Sequence, residues 1–291
     1  MSEEADSLVA IVDAHVHIYP PDWVAHKPAL LERDRYFGLL FRGPRGHMAT
    51  AEDLIASMDA AGISTSVAAG FGWDDPGLCR EQNDYMVETC RRYGDRILGL
   101  ATLNPSRPRE AAREAERALA LGLAGIGELM PDGPGYSLTS PDTMDPVIGV
   151  AVEARSPVLL HVSEPVGHSY PGKGTVSPAQ IIALAERHPG LTLVCAHWGG
   201  GLPFYELMPE VKRALKRVYY DTAAWPLLYR DEVFRAVHEA APGKTLFATD
   251  YPLIGQAGLP ERMMAAGLPE AAQAQALRET AMSVYSRGVR Q

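Results

Sequence analysis

The 291-residue chain is short of the groups that would staple it, anchor it or attract polyanions. Cysteine is scarce. Cys79, Cys90 and Cys195 are an odd number with no metal-like spacing, so a disulfide framework is not expected and a reducing, cytoplasmic setting is. Long apolar runs are missing: no stretch reaches the roughly 18 consecutive apolar residues that a membrane span requires. The opening MSEEADS is acidic and leads into no signal-type apolar region. Positive charge is in deficit, with 27 Lys+Arg against 36 Asp+Glu and a net charge of -9. The basic residues form no patch, which argues against a nucleic-acid partner. No repeat or low-complexity tract occurs. No G-x-G-x-x-G follows the first apolar segment, which removes a dinucleotide-binding open sheet.

What remains is ordinary globular composition, 46% hydrophobic and 22% charged. Eight short apolar segments punctuate it, at 9–16, 63–70, 96–103, 123–129, 157–162, 191–196, 218–221 and 245–249. They are nearly continuous runs of Val, Ile, Leu and Ala, the pattern of strands covered on both faces. Helical stretches lie between several of them. Residues 50–61 begin with Thr50 three residues before Asp53, close to a capping box, and are followed by Gly62. Residues 108–121 are strongly helical. Residues 177–188 open with Ser-Pro, and 231–240 and 270–285 read as helices too. Eight strand–helix alternations predict a single α/β domain over 1–291, a (β/α)8 TIM barrel. The patternless 19–48 segment after the first strand would then lie over the C-terminal face of the strands, where such barrels build their sites.

The chemistry collects at the strand ends. Asp13-Ala14-His15-Val16-His17 closes the first strand, and alternation points His15 and His17 the same way. A lone strand histidine is most often a hydrogen-bonded core residue. The later strands, however, end in Glu128, His161, His197 and Asp250. Burying those carboxylates without partners would be costly, and a divalent cation supplies the compensation.

With these residues in view, the chain resembles the amidohydrolase superfamily, in its amidohydrolase-2 branch. The matching stretches are DAHVH (13–17), GIGEL (125–129), LLHVSEP (159–165), CAHWGGGLPF (195–204), YYDTAA (219–224) and LFATDYPL (246–253). The resemblance implies one or two divalent metals, usually zinc. It implies His15, His17, His161 and Asp250 as ligands. His197 becomes a second-metal ligand or a catalytic base or electrophile. Glu128 resembles the strand-4 glutamate that ligates metal in the TatD-like branch. No strand-4 lysine is evident, so a carbamylated bridging lysine is not implied, and a single metal is the expectation. Ala248-Thr249-Asp250 stands where Gly-Ser-Asp is usual, and keeps the carboxylate.

The expected function is metal-dependent hydrolysis of an amide, ester or lactone, with Asp250 and His197 catalytic. The alternative is decarboxylation of an aromatic or unsaturated acid, and a third reading is a catalytically silent metal-binding barrel. A small-molecule substrate is expected, with no nucleic acid, no membrane and a homodimer as the candidate assembly. Candidate substrate contacts come from the loops. Trp73 and Trp198, with Trp225 and Tyr251, follow strands and could wall a planar substrate. Lys173, with His168 and Tyr170, lies in a Gly/Pro-rich loop after His161 and could hold a carboxylate. Asp221 ends strand 7 as either a cap or a partner for a ligand histidine, and Cys195 is a core filler.

Overall fold

The computed structural model describes residues 10–286, so Val9, the acidic N-terminus and 287–291 lie outside the described residues. All eight expected strands form: β1 Ile11–His17, β2 Ile63–Ala69, β3 Ile97–Ala101, β4 Gly125–Leu129, β5 Val158–Leu160, β6 Leu193–Cys195, β7 Val218–Asp221 and β8 Thr245–Leu246. They pair in parallel in chain order. β8 returns to β1 through Ala14 N–H to Phe247 O (2.8 Å) and Asp250 N–H to His15 O (3.0 Å). The expected (β/α)8 barrel is therefore the observed fold.

Closure is reinforced by a buried carboxylate. Asp13 accepts hydrogen bonds from Thr249 Oγ1 (2.6 Å), Thr249 N (3.0 Å) and Gln256 Nε2 (2.8 Å). Burial pushes Asp13 up to about 6, against the pull of these bonds. Inside the barrel, Val12, Ala14, Val67, Leu100, Leu159, Val194 and Leu246 pack as one cluster, and a larger one fills the space between strands and helices.

The expected helices hold. Helix Ala51–Ala61 has a complete Thr50/Asp53 capping box and ends at Gly62 with φ +67°. Pro178–Arg187 has a second box, from Ser177 and Gln180. The final helix divides into Glu270–Ala274, a π turn over Gln275–Glu279, and Thr280–Tyr285. Other helices carried no clear signal. In Pro76–Tyr93 the inward face includes Gln82 and Asn83, which bond the carbonyls of Ile18 and Thr102 and so break the apolar stripe. The 19–48 segment contains three short helices, Pro21–Ala25, Lys27–Arg33 and Arg35–Phe41, each too short to display a period. They bury Tyr19, Trp23, Leu30 and Phe37 with Phe71 and Trp73 in a third apolar cluster.

The closure network makes a prediction. Thr249→Val removes the 2.6 Å bond to Asp13 and should destabilise the chain by about 1–3 kcal/mol in urea unfolding. The sign with pH follows from Asp13, raised in the folded chain to about 6. Its contribution to stability is fully present below the ordinary carboxylate range and is lost as pH rises through about 6. The lost bond serves the ionised form, so the Thr249→Val penalty should be larger at about pH 8 than at about pH 5.

Candidate metal centre

Six side chains from five strand ends converge at the C-terminal face. Backbone geometry aims two of them. Gly127, at φ +130°, sits where an added Cβ would lie 2.4 Å from Leu159 O, and it delivers Glu128 into the barrel. After β6 the chain turns through left-handed positions from His197 to Gly201, and a Cβ at Gly200 would lie 2.4 Å from Ser163 O. Those glycines are therefore required by close approach rather than by flexibility.

The donors divide into two triads. His15, His17 and Asp250 form one, and Glu128, His161 and His197 the other, with the ligand atoms of each within 4.8 Å of one another. Glu128 lies between them. Its Oε2 is 3.7 Å from both His15 Nε2 and His17 Nε2, and its Oε1 is 2.9 Å from His161 Nδ1 and 3.9 Å from His197 Nε2. His17 Nε2 is 3.4 Å from Asp250 Oδ1. Of the expected four ligands, His15, His17 and Asp250 thus fall in one triad and His161 in the other, with Glu128 and His197.

The hydrogen bonds fix the imidazole tautomers. His15 Nδ1 lies 2.9 Å from Asp221 Oδ2, and His17 Nδ1 lies 2.9 Å from Gly70 O. Both partners only accept, so both Nδ1 atoms donate, and each Nε2 is the nitrogen left to carry either a second proton or a lone pair for a metal. Those two Nε2 atoms face each other at 3.1 Å. Two lone pairs at that separation repel unless a cation or a proton lies between them. The donor set of the first triad therefore fits a divalent metal, with only nitrogen and oxygen ligands. His197 Nδ1 donates to Ala223 O (3.0 Å), leaving its Nε2 free. His161 Nε2 donates to Gly172 O (3.0 Å), so its Nδ1 is the atom facing Glu128.

Charge follows this geometry in the metal-free chain. Burial works against the His15 imidazolium, but Asp221 and Glu128 outweigh it and hold its pKa well above the ordinary value. Burial likewise opposes charge on His161, and the Glu128 carboxylate overrides it, pushing His161 up to about 9. Burial would raise Glu128 and Asp250, yet both are held below the usual carboxylate range. For Glu128 the cause is His161 and His15, and for Asp250 it is the hydrogen bond to His17 followed by His197.

Above the donors lies a cavity of about 450 Å³. Its floor includes His17, Glu128, His161, His197 and Asp250, and its walls include Leu40, Phe41, Phe71, Met130, Leu227 and Leu253. His168 and Tyr170 line it, as expected. Three other expectations need correction. Trp73 is fully buried in the aromatic cluster, with ring centroids 5.3 Å from Trp23 and 4.8 Å from Phe37. Trp198 packs edge-on against Phe234 (5.1 Å) beneath the helix layer. Neither indole is among the residues lining the cavity. Lys173 is also outside it, because its Nζ donates to the carbonyls of Val166 (2.6 Å) and His168 (3.0 Å) within its own loop. Among the described lining residues the one guanidinium or ammonium group is Arg45, from the 19–48 segment, where no sequence signal marked it.

A parallel eight-stranded barrel with clustered imidazoles and carboxylates at its C-terminal face defines a metal-site barrel protein of the amidohydrolase type. The amidohydrolase family model matches residues 12–287, and the chain belongs to that family. A curated relative is gamma-resorcylate decarboxylase of Rhizobium radiobacter, 24% identical over 214 residues, covering 60% of this chain and 65% of that protein. The aligned part is thus just under two thirds of that relative's length. Among solved structures, 5-carboxyvanillate decarboxylase from Sphingomonas paucimobilis superposes with a TM-score of 0.77 at 18% identity, covering 96% of this chain and 99% of that one. The same enzyme from Novosphingobium aromaticivorans, complexed with manganese and 4-hydroxy-3-methoxy-5-nitrobenzoic acid, gives 0.76 at 18% identity, covering 97% of each chain. At these identities the structural likeness establishes the fold. Among the described residues no helix is long and apolar enough to cross a membrane.

The protonation pattern sets a measurable expectation. A metal on the first triad must displace the proton that Asp221 and Glu128 favour on His15. Apparent metal affinity should therefore rise with pH, by about tenfold per unit for one proton released. Calorimetric titration of the metal-free chain in two buffers of different ionisation enthalpy would count that proton. A pH-independent affinity would show that His15 does not ligate.

Proposed function

We propose that the chain is a metal-dependent decarboxylase of small aromatic carboxylic acids. The observation that carries this reading is the cavity, whose apolar walls suit a flat ring and whose floor and rim offer imidazoles and a guanidinium for its polar groups. The decarboxylase activity of the curated relative supports it. It replaces hydrolysis as the leading expectation.

His15, His17 and Asp250 would hold one divalent cation. When bound, that ion supplies Lewis-acid polarisation of a substrate oxygen. Zinc, the expected ion, has no support from the comparisons. Manganese, present in a solved relative, is the first to test. The remaining chemistry falls to the chain. Leu40, Phe41, Phe71 and Leu253 exclude water and flank the ring. Arg45 holds a carboxylate or phenolate oxygen. His197 offers a free Nε2 as acceptor for a ring hydroxyl proton. Loss of CO2 breaks one C–C bond and leaves its electron pair on the ring carbon, which must then take a proton. His161, kept protonated by Glu128, stands on the cavity floor as the donor.

One observation favours hydrolysis as a second reading. Asp250 is held ionised beside His17, placed to take a proton from water. Gas-phase detection of CO2 over a panel of hydroxybenzoates, run beside acid release from lactones, esters and amides, separates the two. CO2 evolution that depends on added manganese is expected. Acid release without CO2 would overturn the decarboxylase reading.

Two substitutions refine it. His15→Ala/His17→Ala should abolish metal binding, measured by elemental analysis, while circular dichroism stays that of the parent. Full metal content in that variant would remove the first triad as the site. Arg45→Ala should raise KM for carboxylate substrates by about 10- to 100-fold, the scale of a lost charged hydrogen bond, with metal content unchanged. An unchanged KM would return Arg45 to the surface.

A further inference from the structure

We infer that Asp221 is a positioning residue serving both triads at once, and that its negative charge fixes which nitrogen of His15 is available to a metal. The inference rests on the metal-site reading above and is independent of the substrate.

Asp221 ends β7 and is completely buried. Each of its carboxylate oxygens has a different task. Oδ2 accepts from His15 Nδ1 at 2.9 Å. Oδ1 accepts two backbone bonds, from His197 N–H and Ala223 N–H, both at 3.0 Å. The loop closes on itself, because Ala223 O accepts the Nδ1 proton of His197 at 3.0 Å. One side chain therefore touches a ligand imidazole of the first triad and sets both the backbone and the ring of an imidazole in the second.

Two independent features show that the second task is demanding. His197 and Trp198 lie at φ +55° and +57°, and Ala224 at +56°. None is glycine, and side chains disfavour that region. Such conformations persist where surrounding bonds over-determine them. Here the bonds converge on Asp221: its Oδ1 is the acceptor for the N–H of His197, and it grips Ala223 directly before Ala224.

The first task depends on charge rather than shape. A carboxylate has only acceptors, so in the neutral ring it forces the His15 proton onto Nδ1 and leaves the lone pair on Nε2. An amide of the same shape cannot do this. In Asp221→Asn, the side-chain oxygen is retained by the two N–H groups of His197 and Ala223, since turning the amide over would set its donors against theirs. The NH2 group then faces His15 Nδ1 and donates to it. The His15 proton moves to Nε2, the atom 3.1 Å from His17 Nε2, and the lone pair offered to a metal disappears.

The test uses the full chain with 15N-labelled histidine. Long-range 15N–1H spectra of the metal-free proteins, followed up to a pH at which the His15 ring is neutral, should show that neutral ring protonated at Nδ1 in the parent and at Nε2 in Asp221→Asn. Manganese affinity, measured by competition with a chelating dye, should fall by about 10- to 100-fold in Asp221→Asn, the scale for losing a ligand's hydrogen-bond partner. Its melting curve should stay cooperative. Asp221→Ala loses both tasks and should lower thermal stability as well. An Nε2–H tautomer in the parent would overturn the inference without any variant. So would an Asp221→Asn protein that binds manganese within about twofold of the parent while keeping its Nδ1 proton. Loss of CO2 evolution alone bears on the proposed reaction and leaves these readouts untouched.

Discussion

The site depends on how the last strand meets the first. Asp13, buried between them, accepts hydrogen bonds from the backbone and hydroxyl of Thr249 and the amide of Gln256. Those bonds hold the residue before Asp250 against the strand that carries His15 and His17. The backbone bond from Asp250 N–H to His15 O completes the join. Without this closure the carboxylate from one end of the chain and the two imidazoles from the other would not share a site. The barrel is less a container for the metal centre than the means of bringing residues more than two hundred positions apart within ligand distance.

Glu128 is the second organising charge. Four imidazoles crowded together, three of them at the floor of the cavity, would favour no single protonation pattern. A carboxylate between the two triads distinguishes them by drawing a proton to His161, while the Ala223 carbonyl, not Glu128, takes the Nδ1 proton of His197. The divided donor set thus assigns different work to histidines that look alike in the sequence.

What could be read from the sequence was what strand periodicity controls. His15 and His17 share a face because side chains alternate, and Glu128, His161, His197 and Asp250 were marked by closing apolar runs. The division of those six donors into triads was hidden, since it depends on distances across the barrel. Asp221 was visible as a strand-ending acid, but a cap and a histidine partner look the same in one dimension. The aromatics failed for a related reason. A tryptophan just past a strand end can turn towards the mouth or under the helices, and Trp73 and Trp198 both turn under. Arg45 was missed because it lies beyond three helices too short to show a period.

The 19–48 segment carries its own apolar core, in which Phe37 stacks on Phe41 at 4.1 Å and Tyr19 and Trp23 close on Trp73. That cluster is distinct from the one inside the barrel. The wall that supplies Leu40, Phe41 and Arg45 thus rests on a different apolar cluster from the one that fills the barrel beneath the candidate metal donors. Selection can reshape the one without loosening the other. In such a molecule a change of diet requires no change of engine.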